Sequence, residues 1–186
     1  ISKMLSQEGP AMAIGDVDGD GNEDVFIGGA KNQAGEIYKN MGQGKLSEIP
    51  SSIFQKDEVF EDTAAAFMDA DADGDLDLMI GSGGNEVDES KNYVARLYIN
   101  DGKGHFTKSK TKLPSVFTNI ATISPNDFDN DGDIDVFIGS RSVVGTYGID
   151  PPHLFLENVG EGEFINATER ITYDLKNAGM ITGAIW

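Results

Sequence analysis

The chain has 186 residues and a net charge of −18, with no cysteine. The length suits one domain with a real core, and recurring short apolar runs exclude a disordered polymer. The charge disfavours a nucleic-acid partner, the missing cysteines exclude a disulfide framework and thiolate metal sites, and no apolar run reaches membrane-spanning length. Fifteen of the 32 acidic residues fall in three nine-residue stretches. Ile1 opens the chain without an initiator methionine, and we expect a piece of a longer protein with its targeting information lost.

In chain order, an apolar segment AMAIG at 11–15 precedes the acidic stretch DVDGDGNED at 16–24, which runs into a short strand DVFIG at 24–28. A third strand, EIYKN at 36–40, ends in Asn40 and enters the glycine turn NMGQGKL, after which KLSEI supplies a fourth. The same order returns 53 residues later: AAAFM at 64–68, DADADGDLD at 69–77, DLMIG at 77–81, RLYIN at 96–100, NDGKGHF and HFTKS. It returns again after 58 residues: TISPN at 122–126, DFDNDGDID at 127–135, DVFIG at 135–139, LFLEN at 154–158, NVGEGEF and EFINAT. Pro125 breaks the apolar pattern of the third leading segment, which predicts a shorter or differently seated strand there. AGMITGAIW at 178–186 reads as the leading strand of a fourth repeat.

The repeats therefore cover approximately 11–63, 64–119 and 120–177, each with four short strands between turn signals and no sustained helical period. Four-stranded units at this spacing predict an all-β protein built of propeller blades. Three blades do not close a ring of the usual roughly four to eight, so we expect a fragment of a larger propeller, the alternative being closure by assembly with other material.

A loop D-x-D-x-D-G-x-x-D can wrap a hard cation that takes roughly six to eight oxygen ligands. Positions 1, 3 and 5 offer carboxylates, the glycine at 6 permits the sharp turn, position 7 offers its backbone carbonyl and position 9 closes the shell. The first loop would use Asp16, Asp18, Asp20, the carbonyl of Asn22, and Asp24. The second would use Asp69, Asp71, Asp73, the carbonyl of Asp75, and Asp77; the third Asp127, Asp129, Asp131, the carbonyl of Asp133, and Asp135. One such stretch could be a solvated turn. Three in the same register point to a ligand, because unscreened carboxylates this close repel. Calcium fits better than magnesium, which keeps its waters, or zinc, which prefers His and Cys. About three ions are expected, and they would bring the −18 to −12. Position 12 is Ile27, Ile80 or Ile138 inside a strand, not the bidentate Glu of a helix-flanked EF-hand.

Loop, strand and N-x-G-x-G turn, repeated three times, resemble the FG-GAP/VCBS repeat family, most closely the ASPIC/UnbV kind and more distantly the propellers of integrin α-chains. The resemblance spans about residues 11–186. It implies a propeller, often of seven blades, with calcium in hairpin loops of single blades. It also implies export from the cytoplasm and mostly binding roles.

Catalytic signals are sparse. His105 occupies a turn position that holds Lys45 and Glu163 in the other repeats, and so reads as exposed; His153 follows Pro151 and Pro152 and is expected at the surface or against a partner. No nucleophile motif or phosphate loop is present. Phe26, Tyr38, Tyr98, Phe106, Phe137, Phe155 and Phe164 recur at equivalent strand positions and read as blade packing. The second and third repeats carry insertions after their second strand, SGGNEVDESKNYVA and SRSVVGTYGIDPPH, the latter with Arg141, Tyr147 and His153. Such insertions often form a binding face. The expectation is a non-enzymatic, calcium-stabilised, extracellular, periplasmic or cell-surface module for a protein or glycan partner. It would not insert into a membrane, and it could belong to a larger surface complex. A polysaccharide-active, lyase-like enzyme is the alternative.

Overall fold

The computed structural model describes residues 10–84, 93–115, 117–146, 148–171, 174–175 and 178–186. Three antiparallel sheets of four strands each follow one another along the chain, every one a simple up-and-down meander. The first holds β1 (Met12–Gly15), β2 (Asp24–Ile27), β3 (Glu36–Asn40) and β4 (Leu46–Ile49). The second holds β5 (Asp62–Met68), β6 (Asp77–Ser82), β7 (Ala95–Ile99) and β8 (Thr107–Lys108). The third holds β9 (Thr118–Asn126), β10 (Asp135–Val143), β11 (Leu154–Asn158) and β12 (Phe164–Asn166). Among the described residues, two single-turn helices, α1 (Ser52–Gln55) and α2 (Thr168–Ile171), lie outside the sheets. The fold is a β-propeller segment of three blades.

The blades stack face to face, with β1 against β5 and β5 against β9. Between the first two lie Ala13, Val17, Phe26, Ile37, Leu78, Ile80, Tyr98 and Phe106, with Phe54 of α1 inserted among them. Between the second and third lie Ala64, Met79, Leu97, Ile123, Val136, Ile138 and Leu156. Strands β6 and β10 are covered on both faces, which is why DLMI and DVFI read as unbroken apolar runs instead of alternating. Each large side chain buried in this way contributes roughly 1.5–3 kcal/mol. Phe26, Tyr98, Phe106, Phe137, Phe155 and Phe164 are all buried, as blade packing requires, while Tyr38 is half-buried.

A buried ion pair ties the blades together at the end opposite the acidic loops. The Arg96 guanidinium meets Asp62 Oδ1, and Asp62 Oδ2 accepts the Gly29 N–H of the first blade at 2.9 Å. Arg96 also lies 4.3 Å from the Phe60 ring centre, and its Nη1 donates to the Tyr98 hydroxyl at 3.2 Å.

The third leading strand corrects one expectation. β9 is not shortened by Pro125; it runs nine residues, and Pro125 pairs with Val136 inside it. β9 is an edge strand of its sheet, so the missing N–H faces away from the ladder and costs no sheet hydrogen bond. Residues 178–186 form no strand. They lie along the third blade instead, with the Ile181 N–H on Ser140 O at 2.9 Å and Trp186 edge-on to Phe155. His153 is also corrected: it is buried, with Nδ1 accepting the Ser140 N–H at 3.1 Å and Nε2 facing Gly179 O at 2.9 Å. His105 is exposed, as expected. Tyr147 and residues 85–92 of the first insertion lie outside the described residues.

Candidate metal centres

Each acidic stretch links the first two strands of a blade, so the β-hairpin brings its two ends side by side. In all three, the carboxylates at positions 1, 3 and 9 converge: Asp16, Asp18 and Asp24; Asp69, Asp71 and Asp77; Asp127, Asp129 and Asp135. Within each trio the available oxygens lie within 4.8 Å of one another. Position 9 opens the second strand and is buried, whereas positions 1 and 3 are half-buried apart from the exposed Asp129.

Backbone N–H groups hold this arrangement. The position-6 glycines donate to the position-1 carboxylates: Gly21 to Asp16 at 2.8 Å, Gly74 to Asp69 at 3.0 Å and Gly132 to Asp127 at 3.1 Å. Those glycines have φ of 87°, 93° and 101°, a region that L side chains avoid. Position 9 accepts two N–H groups, one on each oxygen. Asp24 takes Val17 at 3.1 Å and Asn40 at 2.8 Å; Asp77 takes Ala70 at 2.9 Å and Asn100 at 2.8 Å; Asp135 takes Phe128 at 3.2 Å and Asn158 at 2.8 Å.

Position 5 stands apart from these trios. Asp20, Asp73 and Asp131 are exposed, and each turns Oδ1 onto the position-7 N–H, of Asn22, Asp75 and Asp133, at 2.9, 3.0 and 2.9 Å. The Asn22 side chain also donates to Asp20 at 2.9 Å. Sequence reasoning treated the first loop as equivalent to the others and missed Lys39. Its ammonium meets Asp18 and lies 3.0 Å from Asp20. The side-chain contact to Lys39 holds the Asp20 carboxyl below its usual range. Ile99 and Glu157 occupy the Lys39 position in the other repeats, and that contrast was the available signal.

The donor set passes a direct test as a cation site. Asp18 Oδ1, Asp69 Oδ1, Asp71 Oδ1 and Asp127 Oδ1 are buried with no hydrogen-bond partner. Buried carboxylate oxygens left this way are costly unless something positive faces them. Burial pushes the Asp77 carboxyl up to about 6, against the lowering effect of the Asn100 and Ala70 N–H groups. Burial also raises Asp71 and Asp135, and neighbouring carboxylates, Asp73 and Asp69 for one and Asp129 and Asp131 for the other, add to it. An all-oxygen set crowded with unscreened charge suits a hard divalent cation.

The repeat model for the FG-GAP-like repeat matches residues 16–80 and 69–138. The chain belongs to the FG-GAP-like repeat family. Each match begins at the first aspartate of one acidic loop and ends in the strand after the next, so the loops sit at the heart of the FG-GAP pattern. Cartilage acidic protein 1 of Xenopus tropicalis is 27% identical over 140 residues, which is 74% of this chain and 20% of that protein. An Agrocybe aegerita lectin that recognises non-reducing terminal N-acetylglucosamine shares the fold with a TM-score of 0.55. The two are 19% identical, over 86% of this chain and 37% of the lectin chain. The FG-GAP segment thus spans about a fifth of one relative and well under half of the other.

Proposed function

We propose that this FG-GAP segment is a calcium-stabilised binding module of an exported protein, taking a protein or glycan partner and performing no catalysis itself. The observation that carries the reading is the set of buried, partnerless carboxylate oxygens in the acidic loops. Asp16, Asp18 and Asp24, with their counterparts in the other two loops, would hold the ions, with position 5 and the position-7 carbonyl available to complete each shell. Bound calcium supplies positive charge at the hairpin, and its binding energy becomes folding energy. Loops of this kind in extracellular modules bind at about 10⁻⁴–10⁻³ M, which suits calcium-rich surroundings.

The topology puts the long insertions, the surface this reading assigns to the partner, at the end opposite the acidic loops. In a meander, the connection between the second and third strands lies at the opposite end from the acidic loop. The insertions at 82–95 and 140–153 are at that connection in their blades, so one rim is braced and the other is free to vary. The recognition of N-acetylglucosamine by the lectin of the same fold keeps glycans beside proteins as the partner class.

Calorimetric titration of the chain with calcium tests the reading. It should give about three sites, falling by one in the Asp69→Asn/Asp71→Asn variant. A folded chain that takes up no calcium at millimolar concentration would overturn it.

A further inference from the structure

We infer that Asn100 and Asn158 are positioning residues for the calcium site of the preceding blade, to which neither contributes a ligand, and that they link binding at successive loops. The inference rests on the calcium reading above. Each asparagine closes the third strand of its blade, yet its carboxamide reaches back across the blade boundary. Asn100 Nδ2 donates to Val17 O of the first loop at 2.7 Å, and Asn158 Nδ2 donates to Ala70 O of the second at 2.8 Å. Val17 and Ala70 are position 2 of their loops, directly between the ligands at positions 1 and 3. A bond to that carbonyl sets the peptide plane on which the third-position aspartate is mounted, and a misplaced ligand costs affinity.

The other end of each asparagine is tied to its own loop. The Asn100 N–H donates to Asp77 and the Asn158 N–H to Asp135, the buried ninth-position ligands, both at 2.8 Å. Nδ2 also reaches the eighth-position carbonyl, Leu76 O at 3.1 Å and Ile134 O at 3.3 Å. Asp77 in turn accepts the Ala70 N–H at 2.9 Å, which returns the path to position 2 of the second loop. The bonds therefore run without a break from Asp135 through Asn158 to the second loop, and from Asp77 through Asn100 to the first. Both asparagines are buried, so water does not compete for these bonds. The glycine turn after each asparagine fits against the same neighbour: a Cβ at Gly104 would stand 3.6 Å from Val17 Cγ2, and one at Gly162 would stand 3.7 Å from Asp71 Cβ. Asn40 shows the contrast. It bonds its own loop at Glu23 O, at 3.1 Å, and no described loop precedes it.

Held as a ligand, Asp77 steadies Asn100 and hence the first loop; linkage makes the effect reciprocal. The amides of Gly21, Gly74 and Gly132 give one NMR reporter per loop, because each donates to a first-position ligand. In a calcium titration of the 186-residue chain, Asn100→Ala should weaken the Gly21 midpoint at least about five-fold, the low end of ordinary coupling, and leave Gly132 unchanged. Asn158→Ala should do the same to Gly74. Disabling the second loop with Asp69→Asn/Asp71→Asn should weaken the Gly21 midpoint when Asn100 is present and leave it unmoved in the Asn100→Ala background. That loop variant, which leaves both asparagines intact, decides the matter if the alanine variants do not fold. In the calcium-free chain, Asn100→Ala should also shift the Asp18 amide, a readout that needs no ion. A Gly21 midpoint indifferent to both Asn100 and the second loop, or equal weakening of all three loops, would overturn the inference while leaving three calcium sites in place. No calcium response at any of the three glycines would overturn it together with the proposed function.

Discussion

At the scale of single residues, the three acidic loops are copies with local differences, and the differences carry consequences. Position 4 adopts positive φ in each: Gly19 at 71°, Ala72 at 62° and Asn130 at 62°. Glycine is at ease there and asparagine tolerates it, but alanine pays for its Cβ. Ala72 is exposed, so nothing in its packing compensates. Ala72→Gly should therefore stabilise the chain by about 0.5–1 kcal/mol, net of the extra freedom glycine gives the unfolded state. Denaturant unfolding measures this, and a destabilised variant would show that the turn is not strained. Lys39 is the second difference. It stands over Asp18 and Asp20 as a tethered cation, a competitor that the other loops lack. Lys39→Ile, which installs the residue of the second repeat, should tighten calcium at the first loop by about two- to five-fold, the scale of an exposed ion pair. An unchanged affinity in a site-resolved titration would mean that the ammonium swings clear at no cost. The aspartate spacing was legible in the sequence because a turn's chemistry is local. Which carboxylates converge was not, since the exposed fifth position and the buried ninth have the same side chain and differ only in the fold around them.

At the scale of elements, short-range signals served well and long-range ones did not. The strands DVFI, DLMI and LFLEN stand where their β-branched and aromatic residues place them. The strand around Pro125 misled, because the harm a proline does depends on which neighbour it faces, and only the sheet order shows that β9 is an edge. The two interblade asparagines are visible in the sequence as a residue recurring before each glycine turn, a pattern that the turn alone accounts for. Their second role spans 83 and 88 residues of sequence, beyond any local pattern. His153 is the same kind of case. Its ring joins β10 to the segment at 178–186 through Ser140 and Gly179. Burial holds its pKa below the usual 6.5, with Gly179 O and Asp150 opposing. A depressed histidine contributes stability that is fully present above pH 6.5 and is lost as the pH falls through the folded pKa. Melting temperature should accordingly drop by a few degrees on acidification below that point, and His153→Gln should remove this part of the pH dependence. Equal pH profiles for the two proteins would show that the ring does not titrate on unfolding.

At the scale of the whole molecule, each blade offers one face to the next, and burial follows that order. Ile80 and Ile138 are 1% and 0% exposed against the blade before them, while their counterpart Ile27 is 38% exposed. Met12 and Ile14 lie on the same side of the first blade at 62% and 52%. This face is the repeat-equivalent of two that are covered. The interfaces between blades are partly apolar and partly built from the acidic loops themselves, which touch the following blade at Val17 and Ala70. The cations would therefore brace the stacking of blades as well as single hairpins. Thermal unfolding of the chain in 10 mM calcium and in EDTA tests that claim most directly. For a dissociation constant of about 10⁻⁴ M, each site adds roughly 2.7 kcal/mol, or about 8 kcal/mol for three. At roughly 2–4 °C per kcal/mol, the melting temperature should rise by about 15 °C or more. Identical melting in calcium and in EDTA would contradict the account.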